Sequence, residues 1–106
     1  MSSRQEILDE VNNERERQDA KFGSNRTHPD VNPVGLGHKL ADADHMRKIC
    51  EVRFELGEGS WTDILHEEVA EAIDEGLDGN TENLKKELVQ VAAVVVAWLE
   101  DLHRRT

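Results

Sequence analysis

The sequence predicts an all-α fold, a four-helix bundle that is completed by oligomerisation. Four stretches with apolar residues at helical spacing are separated by Gly, Pro and Asn, and capping signatures precede two of them. No segment shows the alternation of apolar and polar residues that is typical of a strand. The 106 residues correspond to one domain, and a monomer of this length buries only about two thirds of its unfolded surface.

The first helix is predicted over residues 4–21, a stretch without Gly or Pro. Ser3 followed by Glu6 forms a capping box at its start, and Gly23 is a typical stop. Residues 23–37 are rich in Gly, Pro and Asn, so we expect a long loop there. Loops of this length in compact domains are usually functional or mobile.

The second and third helices are predicted over residues 38–55 and 61–77. Gly57 ends the second helix, because glycine favours helix termination. Ser60 followed by Asp63 is a capping signature for the third helix.

The fourth helix is predicted over residues 82–104, and it is apolar on every side between Val91 and Leu99. A helix of this kind has to be covered all round, which three short helices hardly achieve. We therefore expect a subunit interface, in a homodimer or a dimer-of-dimers tetramer. The alternative is the central helix of a monomeric bundle.

Charge and composition exclude several classes of function. Asp and Glu number 23 against 13 Lys and Arg, and the net charge of −10 disfavours binding to nucleic acid or to anionic membranes. The one cysteine, Cys50, allows no intrachain disulfide, which fits a reducing compartment. The start of the sequence has no apolar signal segment, and the longest apolar run, Val91–Leu99, is too short to span a bilayer. We expect a cytoplasmic protein.

Four carboxylates form a stripe along the third helix. At about 100° per residue, Glu67, Glu68, Glu71 and Glu75 lie within a sector of about 100°. Like charges three or four residues apart weaken a helix by about 0.2–0.5 kcal/mol per pair. The stripe is therefore either a solvated acidic face or a binding site. The apolar residues lie on the other side of this helix: Leu65, Val69, Ala72, Ile73 and Leu77.

The fourth helix carries two polar groups, Glu87 and Gln90, on a face that is otherwise apolar. An ionised carboxylate there is costly unless it is paired or bound to a metal, and no Lys or Arg lies within the pattern to neutralise it. If the two helices face each other, Glu68, Glu71, Glu87 and Gln90 form an all-oxygen cluster suited to Mg²⁺ or Mn²⁺. The alternative is a half-exposed Glu87 that the helix dipole stabilises.

At these residues the sequence resembles the MazG-like, all-α nucleoside triphosphate pyrophosphohydrolases, and within them a short actinobacterial and phage-type subgroup. The hallmark of the superfamily is Glu-Glu-x-x-Glu, followed after a spacer by Glu-x-x-Asp. Residues 67–71 match the first half, and residues 87–90 match the second half except that Gln90 replaces Asp. The strings at residues 16–23 and 61–68 extend the resemblance.

The resemblance implies Mg²⁺-dependent hydrolysis of a (deoxy)nucleoside triphosphate to the monophosphate and pyrophosphate, with Mn²⁺ as a substitute. It also implies a bundle of the all-α pyrophosphohydrolase type. The family's metal ligands map to Glu68, Glu71, Glu87 and Gln90. We expect Glu67 to orient or deprotonate the attacking water.

Other side chains are candidates for contacts with the substrate. Lys21, Lys39 and Arg47 carry charges suited to phosphates, and Trp61 could stack on a base. For each basic residue the competing interpretation is a solvated surface charge. For Trp61 it is packing at the start of the third helix.

Two other functions stay open. One is hydrolysis of a metabolite nucleotide such as phosphoribosyl-ATP. The other is a catalytically silent helical protein whose acidic stripe binds a basic partner or a structural cation. Gln90 supports the second alternative, because a carboxamide removes one negative charge from the motif.

Overall fold

A computed structural model describes residues 3–31 and 43–106. Over these residues the chain forms four helices and no strand, which confirms the all-α class. The helices are α1 (Arg4–Phe22), α2 (Ala43–Glu55), α3 (Trp61–Leu77) and α4 (Thr81–Arg105). The predicted bounds of α1, α3 and α4 differ from these by at most one residue. For the predicted loop and second helix, residues 32–42 lie outside the described part of the chain.

Short polar side chains set the starts of three helices. Ser3 Oγ accepts the backbone N–H of Glu6 at 3.2 Å at the start of α1. Ser60 and Asp63 form a reciprocal capping box on α3, with bonds of 3.3 and 3.1 Å between each side chain and the other's backbone N–H. Asn80 Oδ1 accepts a backbone N–H of the first turn of α4 at 3.1 Å. These contacts satisfy N–H groups that a helix start leaves unpaired.

The described residues form two compact units. One contains those up to Pro29 together with Val96–Thr106, and the other contains those within Asp30–Val95. In the first unit, Ile7 of α1 is fully buried. Arg4 Nε also contacts Glu100 Oε1 of α4 at 3.1 Å there.

In the second unit, α2 and α3 pack against each other in antiparallel directions. The backbone N–H of Ala43 donates to Asp74 Oδ2 at 3.3 Å at one end of the pair. Arg53 Nη1 lies 3.4 Å from Asp63 Oδ1 at the other end. Small side chains allow this approach, and three of them are buried: Ala43, Cys50 and Ala70.

Two glycines shape the end of α3. A Cβ on Gly76 would lie 2.9 Å from Val31 Cγ1, so the missing side chain lets Val31 approach the helix. Gly79, with a φ of 72°, lies in the three-residue turn that joins α3 to α4. Such a left-handed conformation is one that glycine adopts at little cost.

The apolar faces of α3 and α4 are only partly covered within the chain. Of the five apolar residues that we expected on one side of α3, Ala72 alone is buried and the others are half-buried. No residue of α4 is buried, and Leu88 and Val89 are 51% and 67% exposed. The described part of the chain therefore does not supply the all-round cover that we expected for α4. Among the described helices, none combines the length and apolarity needed to cross a bilayer.

Candidate metal centre

Three carboxylates from α3 and α4 converge in the second unit. Glu68, Glu71 and Glu87 each offer an oxygen, and these oxygens all lie within 4.8 Å of one another. The spacing of three residues brings Glu68 and Glu71 together on α3. The short turn folds α4 back so that Glu87 joins them. We call these three residues the acidic cluster, and they are three of the four predicted metal ligands.

Two oxygens of the acidic cluster lack partners. Oε2 of Glu68 and Oε2 of Glu87 are buried, and neither has a hydrogen-bond donor among the described residues. Buried polar atoms are nearly always hydrogen-bonded, because an unpaired one loses its contact with water without compensation. A cation or a hydrogen-bond donor placed at these two oxygens would therefore stabilise the cluster.

Burial and mutual repulsion raise two pKa values in the cluster. For Glu68, burial raises the pKa most, and the charges of Glu71, Glu87 and Glu67 add to the effect. For Glu87, burial again raises the pKa most, followed by a hydrogen bond shared with Glu71 and by the charges of Glu71 and Glu75. Each shift means that the fold disfavours the ionised form of these carboxyls.

An arginine from α2 reaches the edge of the cluster. Arg47 Nη2 contacts Glu71 Oε1 at 3.2 Å, its Nε lies 3.7 Å from Glu67 Oε1, and its Nη1 contacts Asp44 Oδ1 at 2.9 Å. These hydrogen bonds to Glu71 and Asp44 raise the pKa of the guanidinium. The motif itself contains no Lys or Arg, as expected, but Arg47 of α2 supplies a positive charge to it from outside. The motif does not predict this contact, because Arg47 lies on another helix.

Glu67, the expected base, lies on the α2 side of α3 and is not part of the acidic cluster. Besides Arg47, its partner is the Cys50 thiol, which donates a hydrogen bond to its carboxylate. Burial, followed by this bond to Glu67, raises the pKa of Cys50 to about 11. The role of Glu67 in activating water stays a prediction.

The remaining candidate residues are not among the three carboxylates of the acidic cluster. Gln90 is exposed on α4, and Trp61 is half-buried as the first residue of α3. Lys21 belongs to the first unit, where its ammonium lies 5.2 Å from the ring centroid of Phe22. Lys39 lies outside the described residues. Their proposed contacts with metal or substrate stay predictions.

The donor set of the cluster fits a hard divalent cation. It consists of carboxylate oxygens, which Mg²⁺ and Mn²⁺ prefer, and no thiol or imidazole belongs to it. Two of the cluster's oxygens are buried without a hydrogen-bond donor. The Arg47 guanidinium contacts Glu71 of the cluster and the neighbouring Glu67. A divalent ion would satisfy those oxygens and reduce the repulsion.

The chain was also compared with known proteins. No family, curated protein or solved structure matches it.

Proposed function

We propose that this chain is a divalent-cation-dependent nucleoside triphosphate pyrophosphohydrolase. It would convert a (deoxy)nucleoside triphosphate into the monophosphate and pyrophosphate. The convergence of Glu68, Glu71 and Glu87, with two buried oxygens that lack donors, is the observation that carries the proposal. The resemblance of residues 67–71 and 87–90 to the MazG-like motif supplies the reaction, which is cleavage between the α- and β-phosphorus.

In this proposal the acidic cluster holds the cation. Glu68, Glu71 and Glu87 each provide a carboxylate oxygen, and Gln90 provides its carbonyl oxygen, directly or through water. The bound Mg²⁺ supplies positive charge that stabilises the negative charge developing on the phosphates. The net charge of −10 otherwise opposes binding of a triphosphate, so the cation also makes the substrate acceptable to this protein.

Glu67 acts on the attacking water. Its carboxylate belongs to the residue next to Glu68 on α3, where it accepts a hydrogen bond from the Cys50 thiol and faces Arg47. It takes a proton as the water oxygen bonds to the α-phosphorus, and the bond from that phosphorus to the bridging oxygen breaks. Pyrophosphate leaves with the electron pair of the broken bond.

A second copy of the chain covers the open apolar faces of α3 and α4. Leu88 and Val89 are more than half exposed in the single chain, and Leu65, Val69 and Ile73 are half-buried. Burial of apolar surface contributes about 25 cal/mol per Å², so such faces favour association. We propose a homodimer or a dimer-of-dimers tetramer in the cytoplasm. Sedimentation velocity, with Val89→Glu as the disrupting variant, tests the assembly.

A substrate panel tests the activity. Each ribo- and deoxynucleoside triphosphate is incubated with the protein and Mg²⁺, and we expect monophosphate and pyrophosphate. Glu71→Gln should reduce the rate about 100-fold or more, because it removes a charged ligand. Glu82→Gln is the matched control, since Glu82 is an exposed carboxylate of α4 whose contact is with Lys85. Diphosphate and orthophosphate as products would contradict the proposed bond.

A second candidate function is a silent helical protein that binds a cation or a basic partner. The contact between Arg47 and Glu71 favours it, because part of the carboxylate charge is already neutralised inside the chain. To distinguish this function from hydrolysis of a metabolite nucleotide, the substrate panel also includes phosphoribosyl-ATP. Metal binding without any product from the whole panel would favour the silent function.

A further inference from the structure

Arg47 lies where a cation bound at the acidic cluster would compete with it. Its Nη2 contacts Glu71 Oε1 at 3.2 Å, and Glu71 also belongs to the three carboxylates that lie within 4.8 Å. A guanidinium and a divalent ion carry the same sign of charge, so they repel each other when they share one carboxylate. Each therefore weakens the binding of the other to Glu71.

We propose that Arg47 is the internal counter-ion of the acidic cluster, that a divalent cation displaces it, and that the freed guanidinium then binds substrate phosphate. The assignment of the substrate rests on the proposed function. The displacement needs only the metal. Arg47 would thus couple occupation of the cluster to binding of a polyphosphate.

The surroundings of Arg47 permit this exchange. Its side chain is 45% exposed, and its contact with Glu67 is long, at 3.7 Å. Exposed ion pairs contribute little to stability, so release from Glu67 and Glu71 costs little free energy. Asp44, which lies on the same helix, contacts Nη1 at 2.9 Å and can keep the guanidinium near the site after release.

The chemistry of the guanidinium suits phosphate. Its planar fork donates parallel hydrogen bonds to two phosphate oxygens, which a lysine ammonium cannot do with the same geometry. While no metal is bound, Arg47 is engaged by three carboxylates, from Asp44, Glu67 and Glu71. Once the cation neutralises the cluster, the guanidinium and the cation form a positive surface for a polyanion.

Mn²⁺ titration without nucleotide tests the displacement. We expect Arg47→Gln to bind Mn²⁺ about two- to fivefold more tightly than the wild type, because the competing charge is gone. Lys48→Gln is the matched control, an exposed charge one residue further on α2, and it should change the affinity by less than about 1.5-fold. Unchanged or weaker Mn²⁺ binding by Arg47→Gln would overturn the proposal, as would absence of Mn²⁺ binding by every variant.

Thermal unfolding separates an exchangeable counter-ion from a structural contact. In EDTA, Arg47→Gln should melt at a lower temperature than the wild type, because Glu67 and Glu71 lose their positive partner. In saturating Mn²⁺ the difference should shrink, because the metal then neutralises the cluster in both proteins. An equal loss in both buffers would show that Arg47 only stabilises the fold and would overturn the proposal.

A triphosphate with a methylene bridge between the α- and β-phosphorus tests the second half. The Mn²⁺-loaded Arg47→Gln variant should bind this triphosphate about tenfold more weakly than the Mn²⁺-loaded wild type, and Arg47→Lys should show a smaller loss. Equal affinity in the wild type and in Arg47→Gln would refute the phosphate contact. Failure of the proposed function is recognised separately, because the wild type would then form no product in the panel while the Mn²⁺ titration still reports on displacement.

Discussion

The two acidic sides of α3 differ in how their carboxylates are satisfied. On the side that faces α2, each of three acids has a partner. Asp63 contacts Arg53 and accepts the backbone N–H of Ser60. Glu67 contacts Arg47 and Cys50, and Asp74 accepts the backbone N–H of Ala43. Towards α4, Glu68 and Glu87 each have a buried oxygen without a donor. The fold thus pairs the acids on the α2 side of α3 and leaves Glu68, together with Glu87 of α4, unsatisfied on the other side.

This difference separates paired carboxylates from unsatisfied ones without reference to any other protein. A paired carboxylate stabilises the native state, so its removal should destabilise the chain. A buried carboxylate among like charges destabilises the native state, and a protein retains it when something else compensates. Substitutions on the two sides of α3 should therefore have stability effects of opposite sign in the absence of metal.

The largest effect on stability should come from Asp63, on the α2 side. Asp63→Ala removes half of the capping box on α3 and leaves Arg53 without its carboxylate. We expect a loss of about 1–2 kcal/mol in the free energy of unfolding, measured by urea denaturation. Glu82→Ala, at an exposed site on α4, is the control. A loss no larger than that of the control would contradict the claim that the paired carboxylate of Asp63 stabilises the fold.

A smaller effect of opposite sign is expected for Glu87, on the α4 side. In EDTA at neutral pH, Glu87→Gln should raise the free energy of unfolding by about 0.2–0.5 kcal/mol, because it relieves like-charge repulsion. Thermal unfolding of both proteins measures the change. Destabilisation of the metal-free variant would show that Glu87 is a structural residue like Asp63.

The pH dependence sharpens the same contrast. The pKa of Glu87 lies above its ordinary value of 4.5, so the folded state binds this proton more tightly than the unfolded state. Protonation of Glu87 therefore stabilises the folded state. This contribution is fully present below pH 4.5 and is lost as the pH rises through the raised pKa. Glu87→Gln lacks this contribution, so its stability should fall less than that of the wild type over this window. Parallel pH profiles of the two proteins would contradict the assignment.

The smallest effect concerns Cys50, which belongs to the paired side. With a thiol pKa of about 11, only about one molecule in 10⁴ carries the reactive thiolate at pH 7. Iodoacetamide should therefore modify the native protein much more slowly than free glutathione, and at a comparable rate once urea unfolds the chain. Rapid labelling of the native protein, followed by mass spectrometry, would show that the contact with Glu67 does not protect the thiol.

Signals within short stretches of sequence predicted the parts of the molecule that depend on local contacts. The bounds of α3 follow from the caps, and the acidic cluster follows from the spacing of Glu68 and Glu71 and from the short turn before Glu87. The partners of Arg47 could not be predicted, because they depend on the register between α2 and α3. The buried side chains of this pair include the small residues Ala43, Cys50 and Ala70, and small residues at these positions do not by themselves specify one register.

The same dependence on packing explains why the buried side of α3 is not its most apolar side. The large apolar residues of α3 are half-buried, whereas the buried positions include Asp63 and Ala70, on the side that faces α2. Hydrophobicity alone ranks Asp63 as an exposed residue. Its capping bond with Ser60 and its contact with Arg53 make burial favourable, and the contact with Arg53 exists only in the packed pair of helices.

Divalent cation binding in the absence of nucleotide tests the central claim most directly. Isothermal titration with Mg²⁺ or Mn²⁺ compares the wild type with Glu87→Gln, which alters the acidic cluster, and with Glu82→Gln, which does not. We predict that Glu87→Gln weakens binding about 10- to 100-fold and that Glu82→Gln leaves it unchanged. Equal affinity in all three proteins, or no binding by the wild type, would contradict a metal centre at Glu68, Glu71 and Glu87.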